Sequence, residues 1–121
     1  MGWIDRYFER IGIEKSRVAI YARVSTDTDG HQDLHAQIQA CRDFCQKRGW
    51  TDVEEYIEAP GATAAEHQPE LKRLRSEIQG GMVIHSVVVE TTARLTRNLD
   101  RLADIEQLLK KNGAQIVTVK E

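Results

Sequence analysis

An open α/β sheet, mainly parallel and built in three layers with helices on both faces, is the fold this sequence predicts, and three observations predict it. Val18–Ser25 and Met82–Glu90 are apolar, β-branched runs of strand length that turn polar at their carboxyl ends, as buried parallel strands do. Between the strand candidates lie stretches of helical period closed by Gly49, Gly80-Gly81 and Gly113. The elements then alternate strand, helix, strand, helix, strand, helix, strand, an order that selects parallel pairing through right-handed crossovers.

The first strand organises the rest. Val18, Ile20, Ala22 and Val24 share one of its faces and Ala19, Tyr21, Arg23 and Ser25 the other, because side chains alternate across a strand. The second face ends in a phenol, a guanidinium and a hydroxyl at the edge where open α/β sheets bind ligands. Leu34, Ile38, Cys41 and Cys45 recur at helical spacing up to Arg48-Gly49, and Trp50–Ile57 forms a second strand with Glu58 at its carboxyl end. Residues 59–65 hold turn and small residues and form a surface loop. Pro69 opens a helix whose Leu71, Leu74 and Ile78 face inward. After the third strand, residues 91–97 are polar. Asn98 caps a helix with Leu99, Leu102, Ile105, Leu108 and Leu109 inward, and Ile116–Val119 is a short last strand. Ahead of all this, residues 1–16 form an extension. In it Trp3, Ile4, Tyr7, Phe8 and Ile11 make one apolar stripe on a short amphipathic helix, which packs on this domain or else on a second copy of the chain.

A chain of 121 residues without an internal linker makes one compact core, placed here at 17–121. The net charge of −2 supplies no global attraction to nucleic acid, so a DNA contact must come from a local basic cluster. Two cysteines, no secretory leader and no apolar stretch of bilayer length point to the cytoplasm and away from a membrane.

Three groups of residues carry possible chemistry. Arg23 presents a planar donor fork beside the Ser25 hydroxyl, the pairing a hydroxyl nucleophile needs at a phosphodiester. Equally, Ser25 and Thr26 can cap the next helix while Arg23 pairs with a carboxylate. Arg94, Arg97 and Arg101 lie on one face if a helix begins near Arg94, and with its N-terminus would hold phosphate oxygens. The alternative is a solvated face paired with Asp100 or Asp104. Glu58 and Glu90, at strand ends, suit Mg²⁺ in a phosphotransfer domain, although such a site wants carboxylates after the first strand. Cys41 and Cys45 fall on an apolar stripe, where cysteine acts as a small hydrophobe; with His31 and His35 they make no zinc knuckle.

The run Tyr21-x-Arg23-x-Ser25, a helix bearing Gln37, and Ala93-Arg94-Leu95-Thr96-Arg97 between third strand and long helix together resemble the catalytic domain of the serine recombinases, the resolvase and invertase family. The resemblance takes in nearly the whole chain after Arg17. It implies that Ser25 attacks a DNA phosphate and keeps the 5′-phosphate as a phosphoserine, with Tyr21, Arg23, Arg94 and Arg97 as its catalytic companions. It further implies phosphate contacts from Gln37, Gln68, Arg101 and Glu58, no metal or other cofactor, DNA as partner and a homo-oligomer. Three departures stand out. Ala93 occupies the place of an aspartate that orients Arg94, Gln68 that of a phosphate-holding arginine, and Glu58 that of an aspartate. Losing one preorganised cation costs on the order of 3 kcal/mol at the transition state, about a hundredfold in rate. A weakened or inactive relative that serves as a protein-interaction module is therefore the second expectation.

Overall fold

The computed structural model describes residues 17–24, 30–59 and 68–121. The amphipathic helix expected over residues 3–11, most of the 59–65 loop, and Ser25 with Thr26 lie outside these described residues. The elements are β1 (Arg17–Ala22), α1 (Gly30–Lys47), β2 (Val53–Ile57), α2 (Pro69–Gln79), β3 (Ile84–Val89), a 3₁₀ turn (Thr92–Arg94), α3 (Leu99–Lys111) and β4 (Gln115–Thr118). All pairings are parallel and the strand order is β2-β1-β3-β4.

That order accounts for the two helical layers. The chain moves one way across the sheet from β1 to β2, then the opposite way to β3 and β4, so right-handed crossovers place α1 on one face and α2 and α3 on the other. The alternation along β1 follows suit. Val18 and Ile20 pack with Cys41 and Cys45 of α1 and with Val88, whereas Ala19 and Tyr21 pack with Leu71, Leu74 and Ile78 of α2 and Ile105 and Leu109 of α3. Ala22 and Val24 meet Leu34 and Ile38 at the far end of α1. Burial pushes the Cys41 thiol up to about 12, with Cys45 also raised, so both side chains are neutral and apolar in use.

Helix ends follow the expected residues. Pro69 stands at the first turn of α2, and Asn98 caps α3 by accepting the amides of Asp100 and Arg101 at 2.9 and 3.2 Å. Gly49 and Gly113 take φ of 73° and 76° just past α1 and α3, the left-handed stop that glycine adopts freely. Two expectations change. Leu99 is 81% exposed, because the first residue after a cap projects from the end of the helix and not along its inner stripe. The helix also starts at Leu99, so Arg94 sits in the preceding 3₁₀ turn and shares no helical face with Arg97 and Arg101.

Candidate active site

β1 and β3 are neighbours, and the sheet's direction of travel changes between them, so the crevice at their carboxyl ends is the switch point of the fold. Arg23 leaves the end of β1 with its side chain turned across to the chain that leaves β3. Its Nε donates to the Arg94 carbonyl at 3.0 Å and its Nη2 to the Ala93 carbonyl at 2.8 Å. In return Arg94 Nη1 donates to the Arg23 carbonyl at 3.2 Å. Arg23 is 7% exposed, and its partners are backbone carbonyls and not the carboxylate considered from sequence. Nη1 of Arg23 has no hydrogen-bond partner among the described residues.

Arg94 is held from several directions. Glu90, at the end of β3, accepts from its Nε at 3.1 Å and its Nη2 at 2.9 Å, and Asp33 of α1 meets Nη2 at 3.4 Å. The other Glu90 oxygen lies 3.2 Å from Lys120 Nζ. Burial pushes the Glu90 carboxyl up, but hydrogen bonds from Arg94 and Lys120 and their charges outweigh it, so its pKa is held below the usual carboxylate range. The expectation that Arg94 lacks an orienting partner is thus corrected: Ala93 carries no carboxylate, and Glu90 reaches the same guanidinium four residues upstream. Sequence reasoning weighed Glu90 only as a metal ligand and missed Asp33 and Lys120. The i, i+4 spacing of Glu90 and Arg94 was the available signal, hidden because no helix was expected there.

Beneath this rim lies a second, buried network. Glu58 is 0% exposed and accepts the Tyr21 hydroxyl at 2.8 Å together with the backbone amides of Glu70 and Leu71 at 3.1 and 3.0 Å. It therefore caps α2, whose own N-cap, Gln68, makes no side-chain cap bond. Gln68 Nε2 donates instead to the Tyr21 hydroxyl at 2.9 Å and to the Leu95 carbonyl at 2.9 Å. Gln37 closes both backbone bonds of Arg23, accepting its amide at 2.9 Å and donating to its carbonyl at 3.1 Å. Burial pushes the Tyr21 phenol well above its ordinary value; the Gln68 hydrogen bond acts against this, and the Glu58 hydrogen bond and charge act with it. Tyr21 is accordingly a proton donor to Glu58 and no base.

These contacts depart from the phosphate-binding roles expected of Glu58, Gln68 and Gln37. A buried carboxylate already accepting three hydrogen bonds repels an anion, and both amides are spent on internal partners. Glu58 and Glu90 also lie on either side of β1 and not at adjacent strands, each already occupied by other donors, which disfavours the Mg²⁺ alternative weighed from their strand-end places. Among the described residues no group of three or more His, Cys, Asp or Glu side chains is placed to hold a metal ion, and no helix is long and apolar enough to cross a membrane. Arg97 and Arg101 are exposed, past the 3₁₀ turn, without a side-chain partner among the described residues.

Residues 18–121 match the family described as Resolvase, N terminal domain. A protein of Bacillus subtilis (strain 168) named "Putative DNA recombinase" is 31% identical over 104 residues, which is 84% of this chain and 20% of that relative. The chain thus spans about a fifth of the relative's length. Among solved structures, the C-terminal catalytic domain of ISC1926 TnpA, an IS607-like serine recombinase, aligns with a TM-score of 0.75 at 28% identity, over 87% of this chain and 68% of that one. The N-terminal catalytic domain of TP901-1 integrase aligns with a TM-score of 0.73 at 25% identity, over 86% of this chain and 78% of that one.

Proposed function

Since this chain belongs to the resolvase N-terminal domain family, we propose that it is the strand-transfer domain of a site-specific DNA recombinase, with Ser25 as nucleophile. The single observation that carries the reading is the mutual clasp of Arg23 and Arg94, which sets two permanently cationic forks at one rim, two residues before position 25. The Ser25 oxygen attacks phosphorus and the bond to the 3′ oxygen breaks. A 5′-phosphoserine and a free 3′-hydroxyl result, and the serine proton passes to the leaving oxygen or to water. Attack of another 3′-hydroxyl on the phosphoserine reverses the step, so the energy of the broken bond is kept and no nucleotide is consumed. Arg23 Nη1, Arg94 and the exposed Arg97 offset the negative charge that builds on the phosphate oxygens, and Arg101 meets the neighbouring backbone phosphate. Tyr21, Glu58, Gln68 and Gln37 act by positioning: they fix the end of β1 and the start of α2, from which the rim is built. DNA is the substrate, and a second copy of the chain cleaves and holds the other strand, whose 3′-hydroxyl is the acceptor.

The test is a covalent trap. Protein is incubated with a pool of end-labelled nicked duplexes of randomised sequence and run on a denaturing gel. A 5′-linked adduct present with the wild type and absent with Ser25→Ala supports the reading; no adduct from the wild type overturns it.

A second reading has its own observation, the burial of Gln68. That side chain is committed to Tyr21 and Leu95 and adds no charge where the resemblance places an arginine, which favours a domain that keeps the fold and pairs with other copies without cutting DNA. Under it the trap stays empty while solution mass shows a multimer that deletion of residues 1–13 dissociates.

A further inference from the structure

We propose that Glu90 is the positioning residue that aims Arg94 at phosphate, in place of the aspartate its resemblance group carries at position 93, and that Lys120 steadies Glu90 for that task. This inference rests on the strand-transfer reading and deepens it. One Glu90 oxygen, Oε1, accepts along one edge of the Arg94 guanidinium, from Nε at 3.1 Å and Nη2 at 2.9 Å, which holds that edge toward β3. With that edge occupied, Nη1 is turned toward the end of β1, where it reaches the Arg23 carbonyl at 3.2 Å.

Three further facts separate this pair from an ordinary surface ion pair. Glu90 is 6% exposed, so the carboxylate is set in the rim and not waving above it. Its other oxygen is taken by Lys120, 3.2 Å away, and Lys120 is itself delivered by the backbone, since its amide donates to the Glu90 carbonyl at 3.0 Å. The span from Glu90 to Arg94 crosses a 3₁₀ turn and not a helix, so the contact is made by the path of the loop after β3. Ala93, the position at issue, is exposed and sends its carbonyl to Arg23 while its side chain offers no acceptor. The arrangement is a cationic fork backed by a carboxylate that is backed in turn by a second cation, with the half-exposed Asp33 as the other carboxylate on the fork.

The experiment pairs a loss with a rescue. In the full chain, the exchange of the Arg94 Nε–H with water is followed by ¹⁵N NMR, and the rate of adduct formation on a nicked duplex is followed on denaturing gels, for wild type, Glu90→Ala, and Glu90→Ala with Ala93→Asp. Glu90→Ala is expected to speed Nε–H exchange roughly tenfold or more and to slow adduct formation by about a hundredfold. Adding Ala93→Asp is expected to restore much of both, which a carboxylate serving only stability would not allow. Unchanged exchange in Glu90→Ala, or a folded double variant that recovers neither quantity, overturns the proposal. Should Glu90→Ala fail to fold, Lys120→Met is expected to give the same two changes in milder form, and no change in either overturns the role of Lys120. A wild type that forms no adduct defeats strand transfer itself, whereas the exchange measurement still decides whether Glu90 aims Arg94.

Discussion

Gln37 and Arg23 form a closed ring of two hydrogen bonds: the glutamine carbonyl accepts the Arg23 amide at 2.9 Å and its Nε2 donates to the Arg23 carbonyl at 3.1 Å. The side chain of α1 thereby satisfies the backbone of β1 at the point where the strand leaves the sheet and has no neighbour to pair with. Gln37→Leu keeps the volume and orphans both backbone groups inside the protein. Each orphan costs about 1–3 kcal/mol, so urea unfolding should show a loss of roughly 2–4 kcal/mol. A loss under 1 kcal/mol would mean that water replaces the glutamine.

Glu58 joins β2, β1 and α2 through three accepted bonds. Glu58→Gln turns one acceptor atom into a donor facing donors, and a loss of about 2–4 kcal/mol is expected by the same measurement. Tyr21→Phe removes one donor and leaves Gln68 its bond to Leu95, so its loss should be smaller, about 1–2 kcal/mol.

The phenol of Tyr21 also predicts a dependence on pH. Burial raises its folded-state value, against the Gln68 hydrogen bond and with Glu58, and burial likewise raises Tyr56, whose hydroxyl donates to Glu77 at 2.6 Å. A raised phenol binds its proton more tightly in the folded state. Its contribution is therefore complete below the ordinary phenol value of about 10 and falls away as pH rises above it. Tyrosinate absorbance from these two residues should appear only as the protein unfolds in alkali. Tyr7 is the third tyrosine of the chain, so the titration is read in Tyr7→Phe, where a smooth rise near the ordinary value in folded protein would contradict the burial of the other two.

On the proposed reading, Asp33 would compete with phosphate for Arg94. Its carboxylate is half exposed and 3.4 Å from Nη2, so the pair is weak, worth no more than about 1 kcal/mol. Asp33→Asn should tighten inorganic phosphate binding by up to about fivefold at low salt, with the gain shrinking as salt rises. Titration calorimetry at two ionic strengths measures both.

Asn98 starts the helix that follows the rim. Asn98→Ala should cost about 1 kcal/mol in thermal or urea unfolding, the usual worth of an N-cap. A gain in stability would show that the cap bonds to Asp100 and Arg101 do not form in solution.

Strand runs, helix period and glycine stops were legible in the sequence because each is a local pattern tied to backbone geometry. Pro69, Asn98 and Gly113 sit where their chemistry requires. The resemblance brought Arg23 and Arg94 to one rim as well. What sequence could not deliver was the identity of partners. Glu58 at the end of β2 reads as a ligand for something outside, and only the third dimension shows the amides of α2 descending onto it. Gln68 reads as a missing arginine, and folding alone reveals that its amide spans from Tyr21 to Leu95. A spacing of three and four would put Arg94, Arg97 and Arg101 on one face only if a helix began near Arg94, and spacing alone does not tell that helix from a 3₁₀ turn followed by a capped start. The alliance of Glu90 with Lys120 joins residues just past the ends of β3 and β4, a relation that no periodicity encodes.

The clasp between Arg23 and the carbonyls of Ala93 and Arg94 changes what position 23 can tell a reader of other genomes. Lysine, with one compact ammonium, cannot span two carbonyls from a fixed plane, so substitution there would unbuckle β1 from the turn after β3 whatever the chain's occupation. Homologues that do not cut DNA should still carry this arginine as a fastener. On the proposed reading, the alcohol at position 25 and the guanidinium at position 97 are the places where loss of cutting would first be written.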